Sequence, residues 1–166
     1  CLMDSDDFFK KNKLFLIDEF FKNNPSKNFV VNYPKTNFYI KLTRTKVQND
    51  KWPSIFPTSC ISIRRSFFLT FMKFSRKNFF PNLEIDARIA IFAYHYLNDF
   101  NILKKKLTIY FKDNEGISSR YKKFNKMWWS KRYEAFEYLK YILNIKNKEF
   151  KKGLDYFTTR IIHFFG

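Results

Sequence analysis

CISIRRSFFLTFMKF, residues 60–74, decides how much of this chain is sheet. Ile61 and Ile63, then Phe67, Leu69 and Phe71, fall on one side of a period-two pattern, with Thr70 and Met72 on the other, which is the alternation of a half-buried strand. The stretch predicts one long strand or two short ones, closed by the basic residues Lys73, Arg76 and Lys77. Just upstream, NFVVNY (28–33) and NFYIKL (37–42) are rich in β-branched and aromatic residues and flank Pro34 and Lys35, which predicts a hairpin or a strand with a break. A polar, proline-punctuated connection covers residues 45–58. Downstream, LTIYF (107–111) predicts a further strand and KDNEG (112–116) a turn.

Helical signals surround these strands. Ser5 is a candidate N-cap, Asp6 and Asp7 suit the positive end of a helix dipole, and apolar residues recur until Asn23, Asn24 and Pro25, predicting a helix over about residues 6–23. Ile85, Ile89, Phe92 and Tyr96 fall at spacings of four, three and four, a buried helical stripe, and Ala87, Ala90 and Ala93 permit close packing. From Ile117 onward the pattern is helical: Ser130 can cap a helix carrying Tyr133, Phe136, Leu139 and Leu143, and a last segment carries Phe150, Leu154, Phe157, Ile161 and Phe165. The order implies an α+β fold, a small mainly antiparallel sheet packed with helices, plus a helical C-terminal extension. The α+β body would run over 1–116 and the extension over 117–166.

The composition bounds the function. A chain of 166 residues suits one domain with an ordinary core. Its 32 basic and 15 acidic residues leave a formal charge of +17, which implies a polyanionic partner: RNA, DNA or an acidic membrane face. Phe, Tyr, Lys, Asn and Ile are abundant while Gly and Ala are scarce, the mark of A/T-rich codons, so coding bias explains part of the lysine excess. Cys1 and Cys60 form no disulfide framework. No uncharged run approaches the roughly 18 residues that span a bilayer; the best, 89–98, is about half that. The opening CLMDSDDFFKK places acids first and does not read as a secretion or transit signal.

No catalytic constellation stands out. His95 and His163 lack the neighbours of a metal site, and Glu84 and Asp86, two residues apart, point to different helix faces. With only Gly116, Gly153 and Gly166, no phosphate-cradling glycine loop or nucleophile elbow can form. No cofactor, metal or small-molecule substrate is implied, and the expected role is binding without catalysis.

The candidate interface is basic and aromatic. RYKKFNKMWWSKR, residues 120–132, carries six lysines and arginines and no acid. Arg120, Lys122, Lys123, Lys126 and Arg132 are candidate phosphate contacts, and Trp128 or Trp129 would stack on a base or anchor in a partner, since both cannot point the same way. Arg64, Arg65, Arg76 and Lys77 form further candidate RNA-binding patches. Arg44 with Lys46 and Lys104 to Lys106 add basic surface. Arginines weigh most, because their codons are less favoured by A/T bias and their fork binds phosphate bidentately.

The texture of FFLTFMKF (67–74), MWWSKRYEAFEYLKYILN (127–144) and RIIHFFG (160–166) resembles proteins encoded by the A/T-rich mitochondrial genomes of protists, ciliates especially. RRS (64–66) followed by SRKNFF (75–80) is similar to short segments of the tenth small-subunit ribosomal protein family, at a different spacing. The resemblance implies a mitochondrial ribosomal protein in the matrix, contacting ribosomal RNA and neighbouring ribosomal proteins. The alternative is a peripheral subunit of an inner-membrane respiratory complex or ATP synthase, with its lysines against anionic lipid.

Overall fold

The computed structural model describes residues 1–36, 53, 55–111 and 122–165. Its elements are β1 (Phe8–Phe9), α1 (Lys13–Asn23), β2 (Phe29–Lys35), β3 (Ile61–Ile63), α2 (Arg65–Phe74), α3 (Ile85–Ile91), a π-helical turn (Phe92–Tyr96), β4 (Asn101–Ile109), α4 (Lys126–Ile145) and α5 (Leu154–Phe165). The fold is α+β, as its sequence implies. The four strands lie in the order β1-β4-β2-β3. β1 runs antiparallel to β4 and β3 antiparallel to β2, but the longest pairing, β2 with β4, is parallel, so the sheet is mixed rather than mainly antiparallel.

The stretch 60–74 is a strand and a helix. Ile61, Ser62 and Ile63 pair with Val31, Val30 and Phe29. The chain then turns at Arg64, whose guanidinium donates to two backbone carbonyls, Phe21 O at 2.7 Å and Lys27 O at 2.8 Å. In the helix that follows, Phe67, Phe71 and Phe74 return at spacings of four and three. Phe67 and Phe71 are buried and Phe74 packs beside them, whereas Leu69, on the same face in a strand, is 53% exposed. Burial of those two phenylalanines contributes roughly 2–3 kcal/mol each, which an extended chain paired only at its first three residues would forgo.

β2 is the central strand, and Phe29, Val30, Val31 and Asn32 are all buried. Phe29 and Val31 face the main core with α2, α3 and α4, while Val30 faces Ile17 of α1 and Leu107. Helices therefore cover both faces of the sheet. The strand continues through Pro34, where the ladder to β4 slips register; proline, having no N–H to donate, is tolerated at such an irregularity. Pro34 and Lys35 continue β2 instead of separating it from a second run, and that run, 37–42, lies outside the described residues. So do the 45–52 part of the proline-punctuated connection, the 112–116 turn and the 116/117 boundary.

Three helix starts differ from expectation. Residues 6–12 are not helical: Phe8 and Phe9 pair with Ile109 and Thr108, and Asp7 accepts a hydrogen bond from Phe111 N at 3.2 Å, because the open edge of β4 takes this segment first. Ser130 lies inside α4, its hydroxyl 3.2 Å from His163 Nδ1, and the cap is Asn125, whose side chain accepts from Trp128 N at 2.7 Å. Ile85 begins α3 but is 42% exposed, so the buried stripe starts at Ile89 and continues through Phe92. Ala87, Ala90 and Ala93 are buried as expected.

α4 belongs to the main core. Tyr138, Leu139, Ile142 and Leu143 pack in it, and the Glu134 carboxylate accepts from Asn82 N, Asn82 Nδ2 and Leu83 N at 2.6–3.0 Å. Buried Arg88 holds the same turn from the other side by donating to Leu83 O and Phe80 O. α5 packs on α4 through Tyr156 and Thr159. No helix among the described residues is long and apolar enough to cross a membrane.

Under α1 the sheet carries a polar centre. Fully buried Lys13 donates from Nζ to Ser59 O and to Thr108 Oγ1, the latter at 2.9 Å, and lies 3.7 Å over the Phe9 ring. Asn32 Nδ2 joins Thr108 Oγ1 at 3.0 Å. Burial pulls the Lys13 ammonium down from 10.5 to about 8 and pushes the Cys60 thiol up from 9.0 to about 12. Between pH 8 and 10.5 the unfolded chain keeps a proton on Lys13 that the folded chain has released, so stability rises with pH there. From pH 9 upward the Cys60 contribution runs the other way, because the unfolded chain ionises its thiol first. Urea midpoints are expected to rise from pH 8 to 9 and then level off, and Lys13→Met is expected to abolish the rise. Parallel profiles for the two proteins would contradict this assignment.

Candidate nucleic-acid interface

The start of α4 gathers the densest part of the expected site. Residues 122–125 form a tight turn, with Asn125 N donating to Lys122 O at 3.0 Å. Asn125 then caps the helix. Lys122, Lys123 and Lys126 are exposed, and Lys123 Nζ lies 4.9 Å over the Phe124 ring. Phe124 adopts φ 71°. For a residue with a Cβ, that left-handed conformation costs about 1–2 kcal/mol. The turn holds the ring outward, 62% exposed.

The two tryptophans are half-buried and stand behind Phe124. Trp128 meets it edge-on at 5.3 Å between centroids and Trp129 lies 6.2 Å away, while the indoles are nearly perpendicular to each other at 4.6 Å. Both indoles lie beside Phe124 with their planes crossed, and the most exposed of the three residues is Phe124. The overlooked signal is Asn125: an asparagine directly before K-M-W marks the helix start, which leaves Phe124 in the preceding turn instead of on a helix face.

Arg132 faces inward. Its Nε donates to Thr159 Oγ1 at 3.0 Å, Nη2 lies 3.9 Å from the Asp155 carboxylate, and the guanidinium sits 5.5 Å over both Trp128 and Phe136. It ties α5 to α4 and backs Trp128. Both acids of α4 are engaged: Glu134 with the 82–83 turn, and Glu137 with the Tyr156 hydroxyl at 3.1 Å and Lys140 at 3.6 Å. Lys131 pairs with Glu84. No carboxylate of α4 is therefore left facing the Lys122–Lys126 turn.

The remaining candidates divide between surface and scaffold. Arg65 is exposed on the first turn of α2. Arg64, beside it, is spent on the carbonyls of Phe21 and Lys27 and on the Phe21 ring, 4.9 Å away. Arg76 is exposed at φ 46°, stacked over Phe79 and Tyr141 and donating to the Tyr141 hydroxyl at 3.2 Å. Lys77 opens a short turn, Lys77–Phe79. Lys104, Lys105 and Lys106 are exposed on β4. Arg120, Arg44 and Lys46 lie outside the described residues. Among the described residues no group of three or more His, Cys, Asp or Glu side chains could hold a metal ion.

No protein-family model, curated protein or solved structure matches the chain.

The contrast between adjacent arginines is directly measurable. Arg64→Ala is expected to lower the unfolding free energy by about 2 kcal/mol, since two carbonyls lose a charged donor. Arg65→Ala is expected to change it by less than about 0.5 kcal/mol. Chemical denaturation of the two variants checks this, and equal losses would contradict the placement.

Proposed function

We propose that the chain is a structural, non-catalytic protein of a ribonucleoprotein, a mitochondrial ribosome, that holds ribosomal RNA through the turn leading into α4. The observation that carries the reading is the exposed set Lys122, Lys123 and Lys126 around an outward Phe124, with both acids of α4 turned to other partners. Cations supply affinity for the phosphate backbone and aromatic rings supply contact to bases. The formal charge of +17 supports a polyanionic partner, and the mitochondrial assignment rests on the compositional resemblance.

Neighbouring proteins fit the apolar surface. α5 buries Tyr156 and Thr159 but turns Leu154, Phe157, Ile161, Phe164 and Phe165 outward at 45–89% exposure. α2 does the same with Phe68, Leu69 and Met72, beside Arg65 and Lys73. Contiguous apolar faces of this kind suit a chain packed within an assembly. The same α5 stripe favours a second reading, a peripheral subunit at an inner-membrane complex. Sedimentation with ribosomal RNA, rather than with detergent-solubilised membrane complexes, separates the two.

The RNA reading predicts a steep salt dependence. Replacing Lys122, Lys123 and Lys126 together by alanine is expected to reduce the slope of log affinity against log salt by about 2, since each lost phosphate contact on a single strand removes roughly 0.7. A wild-type affinity for structured RNA that is weak and insensitive to salt would overturn the function.

A further inference from the structure

We propose that Phe124, backed by Trp128 and Trp129, is a stacking platform for one unpaired base, so that the turn recognises a single-stranded loop or bulge of RNA rather than a duplex. The inference rests on the RNA reading above and specifies the RNA that the site takes. Lysines alone would not discriminate, because phosphates line paired and unpaired strands alike. The aromatic surface does discriminate: base faces in an A-form helix are covered by the neighbouring pairs, and its deep major groove admits no side chain, whereas a splayed base offers a free π-face.

The local geometry favours Phe124 as the contact residue. Phe124 is 62% exposed at φ 71°, and the ammonium of exposed Lys123, 4.9 Å over its ring, swings aside toward a phosphate when a base stacks there. Trp128 packs against Phe124 at an interplanar angle of 63° and crosses Trp129 at 85°, so the three rings form one cluster behind the exposed phenyl. Behind them the Arg132 guanidinium lies over Trp128 and is itself held by Thr159 and Asp155. Arg132 is thereby a positioning residue, acting through Trp128. Lys122, Lys123 and Lys126 stand within four positions of the platform, close enough in sequence to take the phosphates that flank a stacked base.

The test measures binding of a single-stranded RNA dodecamer and of a perfectly paired RNA duplex with the same number of phosphates, using the intact chain and two variants. Phe124→Leu keeps apolar bulk and removes the π-face, and Phe124→Tyr restores it. Phe124→Leu is expected to weaken single-strand binding by roughly tenfold to a hundredfold. Duplex binding and both salt slopes should stay unchanged, and Phe124→Tyr should bind like the wild type. Tryptophan emission, measured with Trp52→Phe so that it reports Trp128 and Trp129 alone, should be quenched by the single strand and much less by the duplex. If Phe124→Leu binds single strands as the wild type does, or weakens both RNAs equally, the platform is wrong while the RNA reading stands. Absence of salt-dependent binding to either RNA would overturn both.

Discussion

The pairing of β2 with β4 on one edge and β3 on the other is the constraint on which the structure depends. With four consecutive residues buried, β2 needs cover on both faces, and α1 supplies one layer while α2, α3 and α4 supply the other. A parallel β2–β4 pair cannot be closed by a tight turn, so the intervening chain must cross over, and it does so carrying β3, α2 and α3. The buried polar residue of β2, Asn32, donates from Nδ2 to Thr108 Oγ1, which also meets Lys13 and Ser59 under α1. α4 closes the opposite layer and holds the aromatic turn at its start, so the candidate interface is mounted on the main core.

The fold uses the two kinds of cation differently from what their chemistry first suggests. Arginine is the better phosphate ligand, yet Arg64, Arg88 and Arg132 are committed to carbonyls, a hydroxyl and aromatic faces within the protein. The reason is the same planar fork: weakly hydrated and rich in donors, it satisfies backbone acceptors at helix ends and turns better than an ammonium can. The surface charge falls largely to lysine, with Arg65, Arg76 and Arg160 as the exposed arginines among the described residues. The joints of the fold are thus held by arginine, at 64, 88 and 132, while most of the exposed cations are lysines. Lys13 departs from this division by its complete burial.

The fold class, the alanine-lined third helix and the helical C-terminal part are legible because their patterns admit one period. Residues 60–74 are not, since apolar residues at 67, 68, 69, 71, 72 and 74 satisfy alternation and helical spacing together; tertiary packing of Phe67 and Phe71 chooses between them. β1 is hidden because Ser5, Asp6 and Asp7 offer a plausible cap, and the competing edge of β4 lies a hundred residues away in sequence. In the candidate site, the lysines and the tryptophan pair can be read directly. Phe124 cannot without recognising Asn125 as the cap, and the engagement of Arg64 depends on carbonyls of Phe21 and Lys27 that no local pattern encodes.

The central claim is that RNA meets this protein at the turn before α4. Ultraviolet crosslinking of the chain to ribosomal RNA, with the attachment sites located by mass spectrometry, tests it most directly. The account predicts that crosslinked nucleotides concentrate on residues 122–129, with Phe124 prominent. Crosslinks confined to the outer face of α2 or to β4, with none on that turn, would contradict it.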